Sequence, residues 1–343
     1  MQRVTIILSI VSFATAALLT ALVRRFALAR GVLDVPNSRS SHSTATPRGG
    51  GLAIVATATA ALGVLAALGS VPLALFLALA GGGLVVAAVG FADDHLNVPA
   101  GPRLAVHVLA AAWAVWCLGG LGGVRVGEHV AQLGWAGGVL AVLAIVWTLN
   151  LFNFMDGIDA IAASEAIFVA CAGAFLAAGS GPGGVSAAAW VFAGTCGGFL
   201  LWNWPPARIF MGDVGSGYLG YVIAVLGLQA THGDAAALWV WLILGAVFFV
   251  DATATLIRRS LRGERVHQAH RSHAYQWLSR RWGGHRDVTL LVLAVNLVWL
   301  VPWAILARHF PGHAWVMTLL ALLPLAAAVI AAGAGRREES RGV

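Results

Sequence analysis

The chain contains no lysine, so all 21 of its basic side chains are arginine. Charge of either sign is scarce: only 10% of the 343 residues are charged, where a soluble domain carries about 25%. That shortage excludes an ordinary water-solvated surface. Cysteine is nearly missing too. Cys117, Cys171 and Cys196 all lie inside apolar runs, which excludes a disulfide framework and any cysteine spacing suited to zinc. A net charge of +7 would point to nucleic acid in a soluble protein. Here the arginines separate apolar stretches, so the excess reads as membrane topology, and no nucleic-acid partner is expected.

What is abundant is apolar sequence. Hydrophobic residues make up 59% of the chain and 42 residues are glycine, as suits closely packed transmembrane helices. Apolar runs of about 17–25 residues count as spans. Eleven are predicted, at roughly 4–23, 50–69, 73–92, 103–119, 134–154, 160–180, 186–204, 215–230, 235–257, 288–307 and 314–333. The expected fold is all-α, a polytopic membrane helix bundle. Residues 1–333 form one integral-membrane domain, and 334–343 a short polar tail. The first run is too long for the core of a signal peptide, and Arg24 and Arg25 follow it at once, which predicts an uncleaved helix.

Eleven spans put the termini on opposite sides. With the N-terminus periplasmic, loops 24–49, 93–102, 155–159, 205–214 and 258–287 and the C-terminal tail face the cytoplasm. Counting Arg103 at its helix end, that side holds 18 of the 21 arginines and leaves Arg3, Arg125 and Arg308 outside. The positive-inside rule predicts this orientation in a bacterial inner membrane. Asp34, Asp93, Asp94, Asp156, Asp159 and Asp213 also fall at or near cytoplasmic ends of spans. Acidic residues contribute little to topology, so their bias predicts one carboxylate-lined cavity on that face. Ionisable groups at membrane depth are costly and mark function.

Five polar segments carry the chemistry. Gly90-Phe-Ala-Asp93-Asp94-His95 ends the third span; two aspartates at a helix C-terminus repel each other and the dipole, and need a metal or an arginine such as Arg103. In Asn150-Leu-Phe-Asn153-Phe-Met-Asp156-Gly-Ile-Asp159, the three-residue spacing puts positions 150, 153 and 156 on one helical face, a set of oxygens suited to Mg²⁺. In Arg208-Ile-Phe-Met-Gly212-Asp213-Val-Gly215-Ser216-Gly217, the glycines would let backbone N–H groups approach an anion at a helix start. His267, His270 and His273 lie among eight arginines; the surroundings favour phosphate over zinc, and a basic loop on anionic lipids is the plain alternative. Asp34, Asn37, Arg39, His42 and Arg48 fill the first cytoplasmic loop, either as an anion site or as a polar connector.

In this order, from Asp34 to Gln276, the segments resemble the polyprenyl-phosphate N-acetylhexosamine 1-phosphate transferases, glycosyltransferase family 4. The nearest likeness is to the branch that starts O-antigen, through Pro36-Asn-Ser-Arg-Ser-Ser-His42, Pro47-Arg-Gly-Gly-Gly51 and Arg271-Ser-His-Ala-Tyr-Gln276. The muramoyl-pentapeptide branch instead carries a triple histidine, absent here, and a first-loop lysine, where this chain has Ser43-Thr-Ala-Thr-Pro47. The resemblance implies transfer of the sugar 1-phosphate of a UDP-N-acetylhexosamine onto undecaprenyl phosphate, with release of UMP and a need for Mg²⁺. It implies metal ligation by Asn153 and Asp213, catalytic roles for Asp93 or Asp94 and for Asp156, and a uridine-facing Asp159. Asn37, His42, Arg48, Arg103, His270, Arg271 and His273 would contact substrate. A homodimer is compatible with it. The rivals are a muramoyl-pentapeptide phosphotransferase and, from another class, a secondary transporter. A transporter places its polar groups near the midplane and often repeats internally; here they sit at one face.

Overall fold

Most of the predicted spans are apolar on all sides, which suits helices that meet neighbours on one side and lipid on the other. The protein is described by a computed structural model covering residues 2–36, 44–177, 184–264 and 270–337. Each predicted run contains a helix among the described residues. In chain order the helices are α1 (Gln2–Arg30), α2 (Gly51–Ala67), α3 (Leu73–Leu96), α4 (Ala100–Leu118), α5 (Gly134–Met155), α6 (Ile161–Leu176), α7 (Val185–Asn203) and α8 (Asp213–Thr231). They continue with α9 (Ala237–Leu244), α10 (Ala246–Leu261), α11 (Ala274–Trp282), α12 (His285–His309) and α13 (Pro311–Ala332).

Among the described residues, eight helices are long and apolar enough to cross a membrane, and the pair α9 and α10, bent by 73°, adds a ninth when counted as one broken span. The chain is a multi-pass membrane protein. The other two predicted spans correspond to α2 and α6, of 17 and 16 residues. At about 1.5 Å per residue these are about 24–26 Å long, shorter than the roughly 30 Å hydrocarbon core, a mismatch that local thinning of the bilayer accommodates. Helix α11 was not anticipated. It lies in the basic loop, and its amphipathic, arginine-bearing sequence shows no apolar run.

Helix α8 is the axis of the bundle, 83% buried, whereas α1 is 17% buried and turns Ile6, Ile7 and Ile10 outward. Exposure of that kind suits lipid and would be a liability in water. A π-helical turn at Ala78–Gly82 widens α3. There the hydroxyl of Tyr221 donates to the Ala78 carbonyl at 2.8 Å, locking α3 to the axis.

Two antiparallel strand pairs complete the chain: β1 (Leu33–Asp34) with β2 (Thr46–Pro47), and β3 (Val124–Val126) with β4 (His129–Ala131). Two or three residues are too few for a periodic signal. The first pair positions the site. Arg48 bridges in parallel to Phe210, and the N–H groups of Gly50 and Gly51 donate to the carbonyls of Phe210 and Met211 at 2.9 Å each. The first loop is thereby laid against the segment that enters α8.

Candidate active site

The end of α3 meets the start of α8 because glycines remove the side chains between them. A Cβ on Gly90 would lie 2.5 Å from the Asp213 carbonyl oxygen. Gly212 holds a φ of 78° at the N-cap of α8, a conformation that favours glycine. Into this gap α3 delivers Asp94, whose side chain is 3% exposed. Its carboxylate accepts the backbone N–H groups of Asp213 at 2.9 Å and Val214 at 3.3 Å, a favourable charge at a helix N-terminus. The N–H groups of Gly215 and Ser216 donate to the Gly212 carbonyl. The glycine-rich segment was expected to cradle an external anion; the first turn of α8 is instead satisfied from within the chain.

Two arginines divide the carboxylates between them. Arg48 Nη2 lies 2.5 Å from Asp94 Oδ1 and 3.1 Å from Asp213 Oδ1. Arg103 pairs with Asp93, and its Nη1 is 3.5 Å from Asp213 Oδ2. The cation that the adjacent aspartates demand is therefore arginine on both sides, and Asp213 stands between the two guanidinium groups.

Asn153, in the last turn of α5, donates its Nδ2 to Ser216 Oγ at 3.1 Å, which leaves its Oδ1 for a cation. Asp156 caps the C-terminus of α5. Burial pushes its carboxyl well above the usual carboxylate range, and the negative charge of Asp213 adds to the effect. Asp159 accepts the N–H of Ala207 at 3.0 Å, and its Oδ1 lies 3.1 Å from His285 Nδ1. Asp34, Arg48, Asn153, Asp156, Asp159, Asn203, Asp213, Gln276 and His285 together line an open polar cavity.

Among the described residues no cluster of three or more His, Cys, Asp or Glu side chains could hold a metal. The oxygens of Asp213 and Asn153 nevertheless fit Mg²⁺, which is commonly held by one or two carboxylates together with substrate phosphates.

The histidine segment is organised differently. Asp251, buried in α10, accepts the N–H groups of Ala274 at 2.9 Å and Tyr275 at 3.1 Å. His273, 1% exposed, turns its Nδ1 to within 3.4 Å of the same carboxylate. Tyr275 donates its hydroxyl to the Phe154 carbonyl, tying α11 to the end of α5. Burial, with His273 and Arg259 nearby, pushes the His270 imidazole down to about 3, so it is neutral at pH 7. Gln276 lines the cavity, whereas His270, Arg271 and His273 do not. Asn37 and His42 lie outside the described residues, as do Arg39 and His267.

Sequence reasoning passed over Asp251, Asn203 and His285. A lone carboxylate in an apolar run is a usable signal and would have found Asp251. Asn203 closes an apolar run in the same way. Nothing local distinguishes His285.

The glycosyl transferase family 4 model matches residues 76–231. A probable undecaprenyl-phosphate N-acetylglucosaminyl 1-phosphate transferase of Bacillus subtilis (strain 168) is 30% identical over 299 residues, covering 84% of this chain and 81% of its own. A decaprenyl-phosphate N-acetylglucosaminephosphotransferase of Mycobacterium leprae (strain TN) is 30% identical over 302 residues, covering 75% of this chain and 72% of its own. A phospho-N-acetylmuramoyl-pentapeptide-transferase of Moorella thermoacetica is 33% identical over 187 residues, half of this chain and 57% of its own.

Proposed function

The chain belongs to glycosyl transferase family 4, and from that premise we propose that it moves the sugar 1-phosphate of a UDP-N-acetylhexosamine onto undecaprenyl phosphate, releasing UMP. One observation carries the reading: Asp213 and Asn153 open onto a polar cavity at the end of a membrane bundle where basic and acidic loops meet. An oxygen of the acceptor phosphate attacks the β-phosphorus of the donor. The new P–O bond forms as the bond to the UMP oxygen breaks, and UMP leaves with that electron pair. Both reactants are anionic, so catalysis is mainly positioning and offset of charge.

Mg²⁺ held by Asp213 and Asn153 would draw charge from the pyrophosphate when bound. Arg48 and Arg103 hold Asp213 from two sides and offset the phosphates. Asp156 closes the cavity beside them, and Asp159 with His285 receives the uridine. Asp94 is committed to the start of α8, so of the adjacent pair Asp93 is assigned to the acceptor. The product would start O-antigen or another envelope polysaccharide. The cavity would open to the cytoplasm, with the N-terminus periplasmic, as the arginine distribution favours. A reporter fused after Arg265 should then read cytoplasmic, and one fused after Val130 periplasmic.

The test is UMP release by the purified protein in detergent, with undecaprenyl phosphate and a panel of UDP-N-acetylhexosamines. At least one sugar should support turnover that needs both substrates. No release with any sugar, or release that ignores the lipid, would overturn the proposal.

A further inference from the structure

The corner between α5 and α6 holds a conformation that its sequence does not favour. Ala160, fully buried at the N-cap of α6, has a φ of 67°, a left-handed value that glycine tolerates and alanine resists. It follows Asp159, which lines the polar cavity. Backbone strain of this kind persists only where the surroundings over-determine it, and it gathers at functional sites.

Here the surroundings are two side chains from distant parts of the sequence, one at each end of the same peptide unit. The Asp159 carbonyl accepts the hydroxyl of Thr289, in the second turn of α12, at 3.1 Å. The N–H of Ala160 donates to Oδ1 of Asn203, at the end of α7, at 2.9 Å. Both side chains are buried, Thr289 completely, and neither is free to adapt. Asn203 also donates its Nδ2 to the Ile209 carbonyl at 3.0 Å, which fixes the orientation of its amide. Asn296, two turns beyond Thr289, donates its Nδ2 to the buried Glu165 carboxylate at 2.5 Å and so pins α12 to α6. Turning the Asp159–Ala160 peptide over would ease Ala160 back to negative φ. It would also take the acceptor from the Thr289 hydroxyl and set the Asp159 carbonyl against Asn203 Oδ1.

We infer that Thr289 and Asn203 are positioning residues of the donor site. They clamp the Asp159–Ala160 peptide unit in its left-handed form and so fix where the Asp159 carboxylate stands in the cavity. The inference rests on the transferase reading above, in which Asp159 and His285 receive the uridine. Asn203 lines the cavity and Thr289 does not, so Thr289 separates the clamp from direct contact with substrate.

The experiment is steady-state kinetics of Thr289→Val, Thr289→Ser, Ala160→Gly and the double variant Thr289→Val with Ala160→Gly, varying UDP-sugar and undecaprenyl phosphate separately. Valine keeps the shape of threonine and loses the hydroxyl. KM for the UDP-sugar should rise by about fivefold or more, the scale of one lost hydrogen bond, while KM for the lipid stays within about twofold. Serine restores the hydroxyl and should return the donor KM to within about twofold of wild type. Glycine at 160 accepts the left-handed φ without strain, so the double variant should regain most of what Thr289→Val loses. A side chain that merely filled the core would gain nothing from that second change. Calorimetric titration with UDP, the part common to the candidate donors, needs no turnover and should give the same order of affinities. An unchanged donor KM in Thr289→Val would overturn the inference. So would equal losses for both substrates, a serine variant as defective as valine, or a double variant no better than Thr289→Val alone. Wild-type protein that neither turns over nor binds UDP would sink the transferase reading and the clamp with it, whereas normal wild-type turnover with indifferent Thr289 variants would sink the clamp alone.

Discussion

Asp94 and Asp251 do similar work in two parts of the molecule. Each reaches from one helix to the start of another and accepts two successive backbone N–H groups there: Asp213 and Val214 at α8, Ala274 and Tyr275 at α11. Each has a basic partner, Arg48 for Asp94 and His273 for Asp251. The difference is in what the capped helix presents. Helix α8 begins with a second carboxylate, Asp213, held between two arginines and open to the polar cavity. The first turn of helix α11 carries Tyr275, which ties the loop to α5, and Gln276, which reaches the cavity as a neutral group. The same cap thus supports charge at one place and shape at the other.

The comparison predicts a graded series. Asp213→Asn should have the largest effect, a loss of at least about 10²–10³ in kcat, the scale for removing a charge-stabilising group. The variant should still insert and purify, and chelation with restoration by Mg²⁺ should affect wild type only. Near-native turnover would remove Asp213 from the centre. Asp94→Asn comes next. It keeps one acceptor for α8 but loses the charge that faces Arg48, and turnover should fall by roughly tenfold or more.

Asp251→Asn should change the balance: thermal unfolding in detergent should show about 1–3 kcal/mol of lost stability, with a smaller loss of turnover than Asp94→Asn. The reverse order of activities would break the comparison. The smallest effect belongs to Glu264, which pairs with Arg259 and Arg262 at 2.9 Å each. The arginines hold its carboxyl below the ordinary range, so the stabilisation is fully present at pH 7 and disappears as pH falls through the lowered value. Glu264→Gln should cost less than about 1 kcal/mol at pH 7, and the gap from wild type should close in acid.

The helices were legible because each apolar run stands out in its own stretch of chain. Number and length separate here: α2 and α6 carry the right composition, but their short helical extents show only once the backbone is folded. The carboxylate face was legible in part. Asp34, Asp156, Asp159 and Asp213 line one cavity, whereas Asp93 and Asp94 stop behind Asp213, paired with Arg103 and Arg48. The use of Asp94 was not legible, since its backbone partners lie 119 residues or more along the chain. His273 reads as a phosphate ligand in a basic motif, yet its environment is Asp251, 22 positions earlier and on another helix.

The claim that phosphorus moves with the sugar is tested most directly with a donor labelled at its β-phosphorus. Incubation of the purified protein with that UDP-sugar and undecaprenyl phosphate should carry the label into the extracted lipid and leave UMP unlabelled. Label retained in a released UDP, with sugar alone on the lipid, would contradict the account.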